Sequence, residues 1–193
     1  MINILNKCPS PILSILICNL DEREELFRKL MLVLYKQVEN NNVEIIIANH
    51  PRGTVNIGEK RNLLVAAASG KYVCFIDDDD LVSDNYVSLI LIAAEFDSDC
   101  IGMTGIYIEQ GKANWSFRHS MTVTRWCKDK QNRIYYRTPN HLNPIKKSIV
   151  VQCPFPEIQY GEDKCFSDLI KPLINTETFL EYPIYYYIFV KDK

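Results

Sequence analysis

Three predominantly apolar runs, each followed by a segment of helical periodicity, constrain this chain more than any other feature. They are Ile12 to Cys18 (ILSILIC), Val43 to Ala48 (VEIIIA) and Lys71 to Ile76 (KYVCFI). Runs without polar alternation read as strands covered on both faces, which is the pattern of a parallel sheet. After the first run, Leu26, Leu30, Val33 and Leu34 share one helical face; after the second, Ile57 to Ser69 reads as a helix stopped by Gly70. The third is followed by a helix that Ser83 would cap, running to Phe96 with Val87, Ile90, Leu91 and Ala94 inward. The expectation is an α/β fold whose mostly parallel central sheet carries helices on both faces, with its ligand crevice beyond the carboxyl ends of the strands.

The later part is less regular. Ile101 to Gln110 and Trp115 to Tyr136 read as strands and hairpins, a smaller antiparallel region. Glu162 to Ile170 reads as a short helix with Phe166, Leu169 and Ile170 inward, ended near Pro172, and the Tyr-rich Phe179 to Val190 as an edge or packing strand. With no internal repeat or linker, residues 1–193 are expected to form one domain.

Composition excludes other classes. A chain of 193 residues with 47% hydrophobic residues and only 7 Gly and 9 Pro is neither disordered nor collagen-like. A formal charge of −2 argues against a surface built wholly to grip nucleic acid. The seven cysteines are odd in number, widely spaced and without a C-x-x-C pair, so neither a disulfide framework nor a zinc site is expected. Thiols inside apolar runs, such as Cys18 and Cys74, suit a reducing compartment and predict a cytoplasmic location. The first residues lack a secretory signal pattern, and Ile184 to Val190 is too short to span a bilayer, so no transmembrane segment is expected. Outside secretion, the Asn114-Trp115-Ser116 triplet carries no glycosylation meaning.

Asp77, Asp78, Asp79 and Asp80 follow the third strand directly. A solvated loop and the next helix's dipole account for one or two of these carboxylates, but poorly for four. If strand alternation continues, Asp77 and Asp79 face one side, an oxygen donor pair suited to Mg²⁺ or Mn²⁺ with phosphate oxygens as remaining ligands.

Here the stretch IGEKRNLLVAAASGKYVCFIDDDDLVSDNYV resembles the nucleotide-binding half of a GT-A glycosyltransferase of family 2. The resemblance starts at ILSILICNLDERE, runs to about Phe96 and returns at GEDKCFSDLI. It implies a single-domain GT-A fold in which residues 1–110 bind a nucleotide-diphospho-sugar and 111–193 supply the acceptor and catalytic half. Carried over by position, Asp77 lies near the ribose and the metal, Asp79 ligates the metal, and Asp78 and Asp80 support them, Asp80 through the backbone that opens the next helix. Many relatives end the second strand with an aspartate that reads the base, whereas this chain has Asn49 and His50; an amide both donates and accepts, so the base, expected to be uracil, is less firmly specified. Lys60 and Arg61 in GEKRN, with Asn19 and Arg23 after the first strand, are further nucleotide-side candidates, the alternative being an ordinary charged helix face.

Glu162 and Asp163 open the late helix, where the dipole alone would justify acidic residues. The resemblance implies more: inverting members carry a glutamate–aspartate pair here, and the aspartate takes the proton of the acceptor hydroxyl. Between the two acidic sites, Arg118, Arg125, Lys128, Lys130, Arg133, Arg137, Lys146 and Lys147 face Asp129 alone. This segment reads either as a solvated hairpin or as a surface for an anionic acceptor: a glycan, a lipid phosphate or a nucleic-acid base. His141 is a candidate third metal ligand or a structural histidine, and Trp115 a sugar-stacking or core residue. The reading is thus a metal-dependent inverting glycosyltransferase using a UDP-linked donor with Mn²⁺ or Mg²⁺. The alternatives are a non-catalytic scaffold on the same fold, or a sugar-phosphate nucleotidyltransferase, for which CNLDERE lacks the Gly-rich basic loop.

Overall fold

The computed structural model describes residues 1–6, 8–39, 41–51 and 53–189. In chain order it runs β1 (Ile2–Leu5), β2 (Leu13–Asn19), α1 (Glu24–Val38), β3 (Val43–Asn49), α2 (Ile57–Ala67), β4 (Tyr72–Phe75), β5 (Leu81–Val82) and α3 (Tyr86–Ala94). There follow β6 (Cys100–Glu109), β7 (Lys112–His119), β8 (Cys127–Asp129), β9 (Ile134–Arg137), β10 (Ile145–Lys146), α4 (Lys147–Val150), α5 (Glu162–Ile170) and β11 (Glu177–Phe189). The strands form one sheet in the order β1-β3-β2-β4-β10-β6-β7-β9-β8, with β11 pairing β6 and β5 off this path.

The predicted parallel centre is present: β2 lies between β3 and β4 and runs parallel to both. The chain leaves β2 for β3 by way of α1, then returns past β2 to β4 by way of α2. This reversal makes a switch point at the carboxyl ends of β2 and β4, where α/β sheets hold ligands. Antiparallel pairs β4–β10, β10–β6, β6–β7 and β8–β9 extend the sheet on one side, and β1 caps β3 on the other.

Strand alternation divides the core between two faces. Leu13, Ile15 and Ile17 of β2 pack with Leu30, Leu34 and Val38 of α1 and with Tyr86, Val87 and Ile90 of α3. Leu16 and Cys18 pack on the other face with Leu64 and Val65 of α2, Ile149 of α4, and Phe166 and Ile170 of α5. The seven cysteines are free thiols. Among the described residues no helix is long and apolar enough to cross a membrane.

Several local expectations are corrected or refined. Helix α2 ends at Ala67 rather than Ser69, because Ser69 turns its backbone N–H and hydroxyl to the buried Glu44 carboxylate, at 2.6 and 2.9 Å. Gly70 is therefore no helix cap; a Cβ there would stand 2.6 Å from Ser14 Oγ, so glycine serves close packing on β2. Helix α3 begins at Tyr86, and Ser83 contributes its carbonyl to the Tyr86 N–H while its hydroxyl donates to the Asn85 side chain at 2.7 Å. The helix also stops at Ala94, leaving Phe96 exposed, and Leu169 of α5 faces solvent at 53% exposure. Of the two expected roles, edge or packing strand, the tail takes the second: β11 runs parallel to β6 with an irregularity around Pro183 and is flanked antiparallel by β5. Val190, the last residue of the expected strand, lies outside the described residues.

Candidate active site

A cleft of about 590 Å³ opens at the carboxyl ends of β2 and β4. Its walls include Arg23, Lys60, Arg61, Asp77, Asp78, Asp79, Arg137, His141, Glu162, Asp163, Tyr187 and Phe189, so the two acidic motifs face one space.

The aspartate run does not continue the strand. Strand β4 stops at Phe75, and the Asp80 N–H donates to the Asp77 carbonyl at 3.1 Å, closing a turn. Two-residue alternation therefore fails beyond Ile76, and Asp78 lines the cleft along with Asp77 and Asp79. Each carboxylate has its own surroundings. Asp77 Oδ1 lies 3.4 Å from Arg61 Nη2, and Asp77 Oδ2 lies 3.6 Å from His141 Nε2. Burial works to raise the Asp77 pKa, but His141, Arg61 and Arg23 outweigh it and hold the carboxyl well below its usual range. Asp78 accepts from Arg23 Nη1 and from the Leu20 N–H, both at 2.7 Å, yet burial still leaves its pKa raised. Asp79 Oδ2 lies 2.9 Å from the same Arg23 nitrogen. Asp80 is almost wholly buried, and burial with the neighbouring Asp77 charge pushes its pKa well up. It accepts from the Tyr185 hydroxyl and the Ile188 N–H, each at 2.8 Å. The expected bond from Asp80 to the next helix is thus replaced by a clamp on β11, whose following residues Tyr187 and Phe189 reach the cleft.

Asn19 and Asn49 are cross-strand partners at the ends of β2 and β3, and the Asn19 amide donates to Asn49 Oδ1 at 2.8 Å. Neither lines the cleft, though Cys18 and Leu20 beside Asn19 do, and Asn19 Oδ1 is buried without a hydrogen-bond partner. Lys60 lines the cleft and is 3% exposed. Arg61 is equally buried, and its second contact is Glu162, with Nη1 2.8 Å from Glu162 Oε1. The reading of Lys60 and Arg61 as a solvated helix face is thereby set aside. Asp163 is half-buried at the start of α5, and its Oδ1 accepts from the Lys164 N–H at 2.7 Å.

The basic segment disperses. Arg118 pairs with Glu181 at 3.1 Å and stacks over Phe179; Lys146 pairs with Asp97 and Asp99; Lys147 donates to the Ala68 carbonyl. Arg125, Lys128, Lys130 and Arg133 are exposed. Of the eight, Arg137 alone lines the cleft, with its guanidinium 4.6 Å from the Trp126 ring centre. Trp115 packs on Tyr135 at 4.9 Å, outside the cleft lining.

The sequence reading missed Tyr187, Phe189 and the exposed Tyr160 as cleft residues. A signal existed for two of them: Tyr185, Tyr187 and Phe189 recur every second residue, so one strand face carries all three.

Among the described residues no three His, Cys, Asp or Glu side chains converge into a closed metal cage. Two carboxylates on an open cleft, with both His141 ring nitrogens buried and without hydrogen-bond partners, do suit a hard cation that shares its coordination with substrate oxygens.

A parallel β-α-β-α-β centre whose carboxyl edge carries an aspartate run, opposed by a Glu-Asp helix start, defines a GT-A-like fold. The family model for glycosyl transferase family 2 matches residues 31–156, and the chain belongs to that family. Similar solved structures include Staphylococcus aureus TarS 1-349 in complex with UDP-GlcNAc, at TM-score 0.68 and 14% identity, covering 94% of this chain and 59% of that one. The same TarS fragment in complex with UDP superposes at TM-score 0.67 and 15% identity, over 92% of this chain and 60% of that one. The chain therefore spans about three-fifths of those proteins, 59% and 60%, and at such identity the likeness is one of fold. No curated protein sequence matches the chain.

Proposed function

We propose that the protein transfers a sugar from a nucleotide-diphospho-sugar, UDP-linked, onto an acceptor hydroxyl by a single inverting displacement. The observation that carries this reading is that Asp77, Asp78, Asp79 and Asp163 line one cleft at the switch point of a family 2 fold. Support for a uridine donor comes from the UDP and UDP-GlcNAc complexes of TarS. In this reading residues 1–110 form the donor half and 111–193 the acceptor and catalytic half, the cytosol being the compartment that suits free thiols.

Asp163 takes the proton of the attacking hydroxyl as its oxygen bonds to the anomeric carbon. The bond from that carbon to the diphosphate breaks on the opposite side, so the configuration inverts and the nucleoside diphosphate leaves. Arg23, Lys60 and Arg137 bring positive charge to the cleft where the departing diphosphate gathers negative charge. Asp77 and Asp79, with His141 beside Asp77, would hold Mn²⁺ or Mg²⁺, which supplies Lewis-acid stabilisation to the diphosphate. Arg137 and the exposed basic hairpin support an anionic acceptor. A nucleotidyltransferase is disfavoured because the Leu20 N–H after β2 is spent on Asp78 rather than left for triphosphate.

The test is Asp163→Asn, assayed with Mn²⁺ and a panel of nucleotide-sugars. Turnover should fall about 10²- to 10⁴-fold with donor binding retained. Equal turnover in the variant, or a wild-type protein that neither binds nor hydrolyses any donor, would sink the transferase reading in favour of a scaffold.

A further inference from the structure

Helix α2 presents Gly58, Arg61 and Asn62 on one face, at the three- and four-residue spacing that makes helix neighbours. All three engage the segment that leads into α5. Gly58 meets the Pro156 backbone so closely that a Cβ would lie 1.9 Å from its carbonyl oxygen. The Asn62 amide donates to the Phe155 carbonyl at 2.9 Å and accepts the Phe155 N–H at 2.8 Å. Between these two anchors the Arg61 guanidinium lies 5.4 Å from the ring centres of both Phe75 and Phe155. Phe75 ends the strand that delivers Asp77, and Phe155 stacks at 4.1 Å on Phe166 of α5. The guanidinium fork then joins the two acidic motifs themselves, with Nη2 3.4 Å from Asp77 and Nη1 2.8 Å from Glu162.

We propose that Arg61 is a positioning residue: by bridging Asp77 and Glu162 it sets the first turn of α5, and with it Asp163, at a fixed span from the donor-side carboxylates. The inference rests on the glycosyl-transfer reading above. It departs from the expectation that Arg61 holds the nucleotide, because the guanidinium lies beside two rings and within ion-pair distance of two carboxylates, with Nε and Nη1 buried and without hydrogen-bond partners. Helix α5 needs such a support. Its N-cap is Gly161 at φ +84°, with no side-chain capping bond, and while Asp163 Oδ1 accepts the Lys164 N–H, no local side-chain bond anchors Glu162 or the helix start as a whole. A planar fork can address two carboxylates at once, whereas a lysine ammonium of the same charge cannot hold that geometry.

The experiment uses the full chain with Arg61→Lys, Arg61→Gln, Glu162→Gln and the double variant Arg61→Gln/Glu162→Gln. The probes are UDP with Mn²⁺ for affinity, release of UDP from UDP-GlcNAc for turnover, and amide hydrogen exchange over residues 159–166. Arg61→Lys, which keeps the charge and spares the fold, should lower kcat about 10²-fold, the scale of a misplacement near 1 Å. UDP affinity should stay within about 3-fold, exchange over 159–166 should rise, and the double variant should be no worse than its weaker single parent. The proposal is overturned if UDP affinity falls in step with kcat, if Lys supports wild-type kcat, or if the single losses multiply in the double variant. A wild-type protein that neither binds nor releases UDP would instead remove the transferase reading. In that case the exchange data still decide whether Arg61 orders the start of α5: unchanged protection refutes the bridge, and raised exchange upholds it.

Discussion

Gly58→Ala is the sharpest probe of how helix α2 and the segment leading into α5 are joined. On an open helix face the substitution would stabilise, since alanine is favoured over glycine by about 1 kcal/mol in a helix interior. Here the new methyl would lie 1.9 Å from the Pro156 carbonyl oxygen and 2.8 Å from its carbon, roughly 1.5 Å short of ordinary contact with the oxygen. Neither side of the contact yields freely. Helix α2 buries Leu64 and Val65 against the sheet, and the Pro156 segment is held by two hydrogen bonds to Asn62 and by the Phe155 stack on Phe166. Overpacking a site of this kind costs about 1–3 kcal/mol. If the segment moves away instead, two hydrogen bonds of about 0.5–1.5 kcal/mol each are at stake. Gly58 is the second residue of α2, in its first turn, so the helix-interior gain is largely absent and either route leaves roughly 1–3 kcal/mol of destabilisation.

For a domain of this size each kcal/mol lowers Tm by about 2–4 °C, so a fall of about 4–8 °C lies near the middle of that range. Thermal unfolding followed by circular dichroism measures it, and urea midpoints check that the m value is unchanged. The same displacement should also lower turnover, because it shifts the segment that leads to Asp163. A Tm equal to or above wild type would refute the reasoning, since it would mean that the segment at Pro156 moves at no cost.

Tyr185→Phe removes the hydroxyl that donates to buried Asp80 at 2.8 Å and accepts the Asp77 N–H at 3.2 Å; it should cost about 1–3 kcal/mol in urea unfolding, with the Asp80→Ala/Tyr185→Phe double variant less than additive. His119 is fully buried, and burial with the Arg137 charge holds its pKa well below 6.5, so the folded state binds its proton less readily than the unfolded state. Stability from this group is present above the unfolded-state pKa and is lost as pH falls below it; His119→Gln should flatten that part of the stability–pH curve. Removing divalent cations with EDTA should weaken UDP binding in calorimetry, and Mn²⁺ should restore it, whereas unchanged affinity would count against Asp77 and Asp79 as cation ligands.

The sheet centre was legible because its physics is local. A strand buried on both faces must be largely apolar, with the few polar side chains such as Ser14 and Glu44 paired internally, so β2, β3 and β4 announce themselves, and the crevice follows from their order. Helix ends were less legible because distant partners set them. Ser69 leaves α2 for Glu44 of β3, and no neighbouring residue signals that choice. The aspartate run was correctly located, but its alternation was extended past the point where the Asp77–Asp80 turn begins. Leu169 shows a different failure: helical spacing allows an inward position, while α5 buries only the stripe through Phe166 and Ile170.

Arg61 shows why charged residues resist sequence reading most. Its default on a helix is a solvated face, and burial becomes affordable only when carboxylates arrive from elsewhere in the fold. One of them, Asp77, follows 16 residues later; the other, Glu162, lies about a hundred residues on and reaches Arg61 only once the sheet and α5 are in place. Breaking a buried pair by removing one partner strands the other charge, a loss of about 3–5 kcal/mol, which is far more than a surface pair is worth. The G-x-x-R-N spacing of α2 is therefore a tertiary motif: glycine for contact with Pro156, arginine for the two carboxylates and asparagine for the Phe155 backbone, each meaningful only against a segment the local sequence does not contain.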